Sequence, residues 1–538
     1  MKKIFNKFIL AAAVAPALLT ACMEEALPTD IAITEQLGAN TKAIQAVVRG
    51  VPAYMKNFNT WFEQPFDFGY PSEMIIRDMY TGDIFQRQGG GQFFFYWSVL
   101  NRSIDSDMGL SQMSYYYMNF MVNACNEVIR AIDENTDNPE MMMYLAQALA
   151  FRASTYLDMA RCYEFLPNDA LPPLSTEGKN ILNLTVPVTV PGMDAEESSN
   201  NPRLPREQML EFLLGDLQKA ESLFERTSSV REIKNMPDLA VVYGLMARTY
   251  MWVENYPQAA VYARRAIAAS NATPLSNSQW NDPTNGFNDM SVSSWMWGIQ
   301  QNQEDEAVQS EAWCWGSFMV SETKQGFAGY RDSYMTIDKR LYESIDDRDF
   351  RKLSWVAPSG SPLSGKEVYT VPGANYPAYT SLKFRANDGN TQVGIVCMAQ
   401  DIPLMRVEEM YLIEAEATAQ TNPTEGKRLL ESFMQQYRYD TYTCMATDRE
   451  GIIDECFKQK QIELWGEGQI MFDYKRLNKS VVRFYDGTNW PDNTLFNTVG
   501  RPAWMNYCLA EYEASSNAGV RGYLNPNVSS AYTLNVKK

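Results

Sequence analysis

Across residues 144–165 the stretch YLAQALAFRASTYLDMARCYEF sets Leu145, Ala148, Leu149, Tyr156, Met159, Ala160 and Tyr163 on one stripe. That is the 3.6-residue repeat of a helix buried along one face. LPNDALPPL stops it, and a turn-rich stretch follows over residues 175–205, with Pro187, Pro191, Gly192, Pro202 and Pro205. REQMLEFLLGDLQKAESLF then places Leu210, Leu213, Leu214, Leu217, Ala220 and Phe224 at helical spacing. Further helical patterns cover 403–419, 424–437 and 452–465.

Residues 237–270, PDLAVVYGLMARTYMWVENYPQAAVYARRAIAAS, resemble a tetratricopeptide repeat of 34 residues. Tyr243, Met246, Ala247, Tyr250, Tyr256, Ala259 and Ala266 fall on consensus positions, and the small Ala247 and Ala259 let two antiparallel helices approach closely. Glu254 stands where such repeats carry glycine and Asn271 where they carry proline. One repeat cannot bury its faces alone. The predicted neighbours are 144–165 with 207–224, 403–419 with 424–437, and a fourth pairing that uses 452–465. The expected fold is therefore mostly α, a scaffold of about four helix pairs over 41–270 and 401–480.

Residues 271–400 interrupt that pattern. Glycine, proline, serine and asparagine are frequent there, and Trp280, Trp295, Trp297, Trp313, Trp315, Phe327 and Tyr330 fall among them, as does the acidic run Glu304, Asp305, Glu306. This predicts a loop-rich lobe, continued by the C-terminal region, and loops are where binding residues concentrate. QRQGGGQFFFYWSVLN, residues 86–101, is a second such stretch. Its three glycines do not make a phosphate loop, because no Gly-Lys-Ser/Thr follows.

Composition narrows the chemistry. The 538 residues are 45% hydrophobic, ordinary for a globular protein. Lysine plus arginine number 47 against 65 acids, a formal charge of -18, which disfavours a nucleic-acid partner. Histidine is absent, which removes Ser-His-Asp and Cys-His catalysis and the commonest zinc and iron ligand sets. Carboxylate-only catalysis, as in glycosidases, remains open. The 12 Trp, 30 Tyr and 25 Phe suit carbohydrate or peptide recognition, and equally an aromatic core.

The N-terminus reads as an address. Lys2, Lys3 and Lys7 precede a short apolar run over residues 8–19, and LTAC at 19–22 resembles a bacterial lipoprotein signal. The resemblance implies a signal peptide over 1–21, lipidation at Cys22, and a flexible tether over 22–40 ahead of a single domain, 41–538. Glu24 and Glu25 look like the surface-export signal of Bacteroidetes lipoproteins. Seven cysteines remain: Cys125, Cys162, Cys314, Cys397, Cys444, Cys456 and Cys508. Both a disulfide such as Cys444–Cys456 and buried free thiols suit that odd set. No metal site or cofactor is expected.

IPLMRVEEMYLIEAEA, residues 402–417, packs Glu408, Glu409, Glu414 and Glu416 into an apolar segment. On one helix Glu409 and Glu416 lie about 10 Å apart along the axis. Glycosidase carboxyls stand about 5–5.5 Å apart in retaining enzymes and about 6.5–9.5 Å apart in inverting ones. An acid pair here is unattractive. The structural reading pairs Arg406 with Glu409 one turn on, and Glu416 with a cation from a neighbouring helix. Farther on, Glu463, Glu467, Asp473, Lys475 and Arg476 alternate in sign, as braces between helix pairs do.

These segments together resemble the SusD/RagB-type proteins, the surface glycan-binding lipoproteins of Bacteroidetes. IPLMRVEEMYLIEAEA matches that family's arginine, a glutamate three later, then Tyr-Leu and Ala-Glu-Ala. IELWGEGQIMFDYKR matches its second hallmark, LYESIDDRDFRK an aspartate-arginine step before it, and FRASTYLDMARCYE an earlier helix. The order of the segments matches as well. Departures are Glu408 where alanine is usual, Ile470 and Met471, and a missing proline in MNYCLAEYEASSNAG.

The resemblance implies a structural role for Arg406, Glu409, Glu416, Glu463, Glu467, Asp473 and Arg476, and no catalytic residue. It implies a lipid-anchored protein on the outer-membrane surface that binds a glycan through loop aromatics and delivers it to a SusC-like TonB-dependent transporter. A peptide-binding lid of a RagAB-type importer is the alternative, and a surface glycosidase a further one. The candidate ligand-binding aromatics are Phe85, Trp97, Trp313, Trp315, Phe327 and Tyr330.

Overall fold

A computed structural model describes residues 41–58, 60–61, 63–100, 105–107 and 109–537. Cys22, the signal segment and the tether lie outside the described residues. The molecule is mostly helical. Helix α1 (Thr41–Tyr54) packs on α2 (Gly109–Ala131) and α3 (Pro139–Tyr163). Helix α3 starts where the Asn138 side chain accepts the N–H groups of Glu140 and Met141, with Pro139 at the position that needs no donor. It packs on α4 (Arg206–Arg226), which packs on α5 (Leu239–Trp252).

Helices α5 and α6 (Tyr256–Ser270) lie against each other through fully buried Ala247, Ala259, Ala263 and Ala266. Small residues bring the two backbones close. Asp238 caps α5 and Asn255 caps α6 by accepting a backbone N–H each. The turn between them forces Glu254 to φ 60°, the left-handed region that glycine takes without strain. Asn271 closes α6 at φ 52°, a conformation asparagine tolerates.

The next helix against α6 is α7 (Val407–Thr421), so the intervening segment is a lobe whose two ends meet on the scaffold. Helix α7 packs on α8 (Pro423–Tyr437) and α9 (Arg449–Glu463), around Leu412, Leu430, Phe433, Met434, Ile452 and Cys456. The lobe contains single helical turns and contributes to two short two-stranded antiparallel sheets. One pairs β1 (Ile84–Gln86) with β3 (Met335–Ile337); the other pairs β2 (Trp295–Ile299) with β4 (Ile402–Arg406).

Strand β4 corrects the sequence reading, which ran a helix from 403. Residues 402–406 are all buried and their backbone groups pair with β2, so the helix starts only at Val407. Arg406 is extended, φ −121° and ψ 152°, and does not share a helix face with Glu409. The seven described cysteines are all buried free thiols, Cys444 and Cys456 included.

Candidate functional site

The hallmark acids are spent on internal ion pairs. The Arg406 guanidinium lies 3.0 Å from Glu463, 2.8 Å from Glu467 and 3.0 Å from Glu408. Arg438 and Arg351 also reach Glu463, at 2.7 and 2.8 Å. Burial opposes ionisation of Glu463, yet Arg438, Arg406 and Arg351 hold its carboxyl far below the usual range. Lys383 bridges Glu467 and the Glu463 and Trp465 carbonyls, and burial pulls its ammonium down to about 8.

Glu409 pairs not with Arg406 but with Arg248 of α5, at 2.6 Å, because β4 turns Arg406 into the interior. Glu416 meets Lys460 at 2.6 Å and Arg476 at 2.5 Å, and both cations also bind Asp473. Glu408, the family departure, accepts the Leu275 N–H at 2.8 Å and so ties α7 to the segment leaving α6. Each of these carboxylates already holds a cation at short range. Among the described residues no group of three or more Cys, Asp or Glu side chains is placed to hold a metal ion.

The proposed ligand aromatics divide. Phe85, Trp97 and Trp315 are in the interior, which corrects their assignment to a surface site. Phe85 packs 4.9 Å from Trp490, Trp97 stands edge-on to Phe66 at 5.2 Å, and Trp315 edge-on to Phe384 at 5.5 Å. Rings enclosed in the core in this way offer no face to a ligand. Phe327 is half-buried, stacked 5.0 Å from Phe318 and edge-on to Phe93. Gly91 permits this packing, since a Cβ there would overlap the Phe327 ring.

Tyr330 and Trp313 remain accessible. Tyr330 is 66% exposed, with the Arg331 guanidinium 5.0 Å over its ring. Trp313 is half-buried, 5.5 Å from Phe58, and its loop is pinned by the Lys56–Asp305 ion pair at 2.6 Å.

Beside Phe58 the structure assembles a row of rings absent from the sequence reading. Tyr54 at the end of α1 meets Phe120 edge-on at 4.8 Å, and Phe120 stacks at 6.3 Å on Tyr116. Tyr116 lies 4.8 Å from Trp61, which stacks 5.7 Å from Tyr512, planes 28° apart. Tyr54 and Trp61 are exposed and the other three are half-buried. The run YYYMNF on α2 creates this face. Tyr115 and Tyr117 point into the core, while Tyr116 and Phe120, four residues apart, share the opposite side. That spacing was the signal available in the sequence.

Gln112 and Asn119 lie on the same helix beside these rings, and Glu511 and Glu513 flank Tyr512, so polar groups border the aromatic row. The loop carrying Trp61 is held by its backbone N–H donating to Asp67 at 2.7 Å. An open aromatic row edged by amides and carboxylates stacks on flat apolar faces and bonds hydroxyl groups, the chemistry of a sugar-binding surface.

The fold and this surface define a helical-scaffold binding protein. A sequence profile described as the SusD family matches residues 258–536, just over half of the chain, and the chain belongs to that family. A SusD-like carbohydrate binding protein from Bacteroides vulgatus superposes with a TM-score of 0.70 at 22% identity, covering 89% of this chain and 97% of that one. A SusD superfamily protein from Bacteroides thetaiotaomicron gives 0.65 at 15%, covering 90% and 100%. A laminarin binding SusD-like protein gives 0.61 at 15%, covering 90% and 99%. No curated protein matches the chain. Among the described residues no helix is long and apolar enough to cross a membrane.

Proposed function

We propose that this SusD-family protein captures a polysaccharide or oligosaccharide at the cell surface and passes it to a SusC-like TonB-dependent transporter. A lipid on Cys22 anchors it to the outer membrane, and it performs no chemistry on the glycan. The observation that carries the reading is the row Tyr54, Phe120, Tyr116, Trp61 and Tyr512: exposed and half-buried rings in a family whose solved members include carbohydrate and laminarin binders. The internal pairing of the hallmark acids supports a non-catalytic role. Tyr330 is a further exposed ring, on the lobe.

Affinity electrophoresis of the soluble chain, beginning at residue 23, across gels containing laminarin and other neutral or acidic polysaccharides tests the proposal. Retardation by one polysaccharide class is expected. Retardation equal in every gel, or release of reducing ends from any of them, overturns it.

A further inference from the structure

Between α3, α5, α7 and α9 the structure encloses a cavity of about 50 Å³. Its walls include Trp252, Ile413, Leu464 and Phe472, all buried, so charges there interact through a weakly polarisable medium. Into this setting the fold brings six cationic side chains, from α3, α4, α5, α9 and the short helix Ile470–Arg476.

Four of the six are matched by carboxylates. Arg206 holds Glu164 at 2.5 Å, Arg248 holds Glu409 at 2.6 Å, and Lys460 and Arg476 share Glu416 and Asp473. The other two have no carboxylate of their own. Arg161 shares Asp158 with Arg77, at 2.5 and 3.0 Å. Lys475 donates to the carbonyls of Arg161, Cys162 and Glu164 at the end of α3, and burial pulls its ammonium from 10.5 down to about 7. The cavity therefore holds an excess of positive charge in a chain whose formal charge is -18. A buried charge without a counter-charge is costly.

A second observation is independent of that balance. The Arg161 guanidinium lies 3.5 Å from the Phe472 ring centroid and donates through Nη2 to Asp158. Its Nε is sealed in the interior, whereas its Nη1 keeps accessible surface and has no acceptor among the described residues. Arg248 commits Nε and Nη2 to Glu409 and the Leu404 carbonyl, and likewise leaves Nη1 accessible and without an acceptor. Both side chains are more than nine-tenths buried and both line the cavity. Burial pulls the Arg161 guanidinium below its ordinary range; Asp158 opposes this and the Arg248 charge adds to it, so the two like charges act on one another.

We propose that this cavity binds a small tetrahedral oxyanion, inorganic phosphate or sulfate, gripped by Nη1 of Arg161 and Nη1 of Arg248. Hydrogen bonds between guanidinium and oxyanion are of the stronger, charge-assisted kind, and the anion cancels the excess charge. One water needs roughly 10–15 Å³ of such space. The cavity thus takes a few waters or one such anion, and is too small for a sugar ring or a nucleotide. The bound anion ties α3 to α5 where two guanidinium groups otherwise repel. This site is separate from the aromatic row and does not depend on the glycan reading.

The test is thermal unfolding of the soluble chain, beginning at residue 23, in chloride buffer of constant ionic strength with rising sulfate or phosphate. A saturable rise in melting temperature at millimolar anion is expected, and the two titrations show which oxyanion is preferred. A rise that stays linear is the general effect of these salts on burial and overturns the proposal. Arg161→Gln leaves Asp158 with Arg77 and the Tyr70 hydroxyl. It should raise the half-saturating concentration about tenfold or more, the loss of one hydrogen bond between charged groups. Crystals of the parent chain soaked in selenate should show an anomalous peak in the cavity beside Arg161 and Arg248. Peaks at the protein surface only, which mark an adventitious ion, or a half-saturating concentration unchanged in Arg161→Gln, overturn the proposal as well.

Discussion

Trp61 and Tyr512, from opposite ends of the chain, stack with ring centroids 5.7 Å apart and planes 28° from parallel. Tyr116 on α2 lies against the same indole at 4.8 Å. Removing Trp61 therefore deletes the middle of the row without touching the buried core. Trp61→Ala combined with Tyr116→Ala should lower polysaccharide affinity by about tenfold or more, since each aromatic contact carries about 0.5–1.5 kcal/mol beyond its area. The melting temperature should change little. Retardation in affinity gels, read beside a thermal melt, checks both parts.

Trp315 should behave in the opposite way. It is fully buried and edge-on to Phe384, so Trp315→Ala opens a cavity. The expected cost is about 3–5 kcal/mol of stability, with unchanged glycan affinity in the protein that remains folded. Denaturant unfolding of Trp315→Ala beside Trp313→Ala separates a core ring from a half-exposed one.

The turn at Glu254 predicts a stabilising change. With φ at 60°, its Cβ is held against the neighbouring carbonyl, and glycine relieves that contact. Glu254→Gly should gain about 1 kcal/mol, seen as a higher urea midpoint with an unchanged slope.

Asp83 predicts a pH dependence. Its Oδ1 accepts from Tyr474 and Gln461, each at 2.7 Å, while its Oδ2 has no partner among the described residues. Burial, with nearby Asp338 adding to it, pushes its carboxyl from the ordinary 3.8 up to about 7. The folded protein holds this proton while the unfolded chain releases it near pH 4. Its contribution to stability is therefore present below about pH 4 and lost as pH rises through about 7. Asp83→Asn keeps the Oδ1 acceptor and removes the titration. It should gain roughly 2 kcal/mol over the parent at pH 8 and much less at pH 4.5. Thermal melts across that range measure the difference, and a pH-independent gap would refute the assignment.

Much of the helical scaffold was legible. The stripe over 144–165 lies within Pro139–Tyr163 and its following turn, and the 34-residue segment forms the pair Leu239–Trp252 and Tyr256–Ser270. Periodicity works there because each helix buries one face against a neighbour close in sequence. It failed at residues 402–406, where backbone pairing with a strand over 100 residues earlier overrides the local pattern. For the same reason Arg406 and Glu409, three apart, serve different partners.

The aromatic site was less legible. A tryptophan in a loop-rich segment has the same local sequence whether its ring fills the core or faces water. Trp313 and Trp315 stand two residues apart, one half-exposed and the other fully buried. The row from Tyr54 to Tyr512 draws on α1, the loop after it, α2 and the C-terminal region, so no window of sequence contains it.

By itself the sequence determined the helical class, the resemblance to the SusD family and the absence of histidine chemistry, because each is written in composition or in short-range spacing. Only the tertiary structure decided which rings face solvent, which cation each hallmark acid holds, and which guanidinium groups meet around one cavity. Those outcomes depend on which distant segments meet, and contacts between distant segments leave no period in the chain.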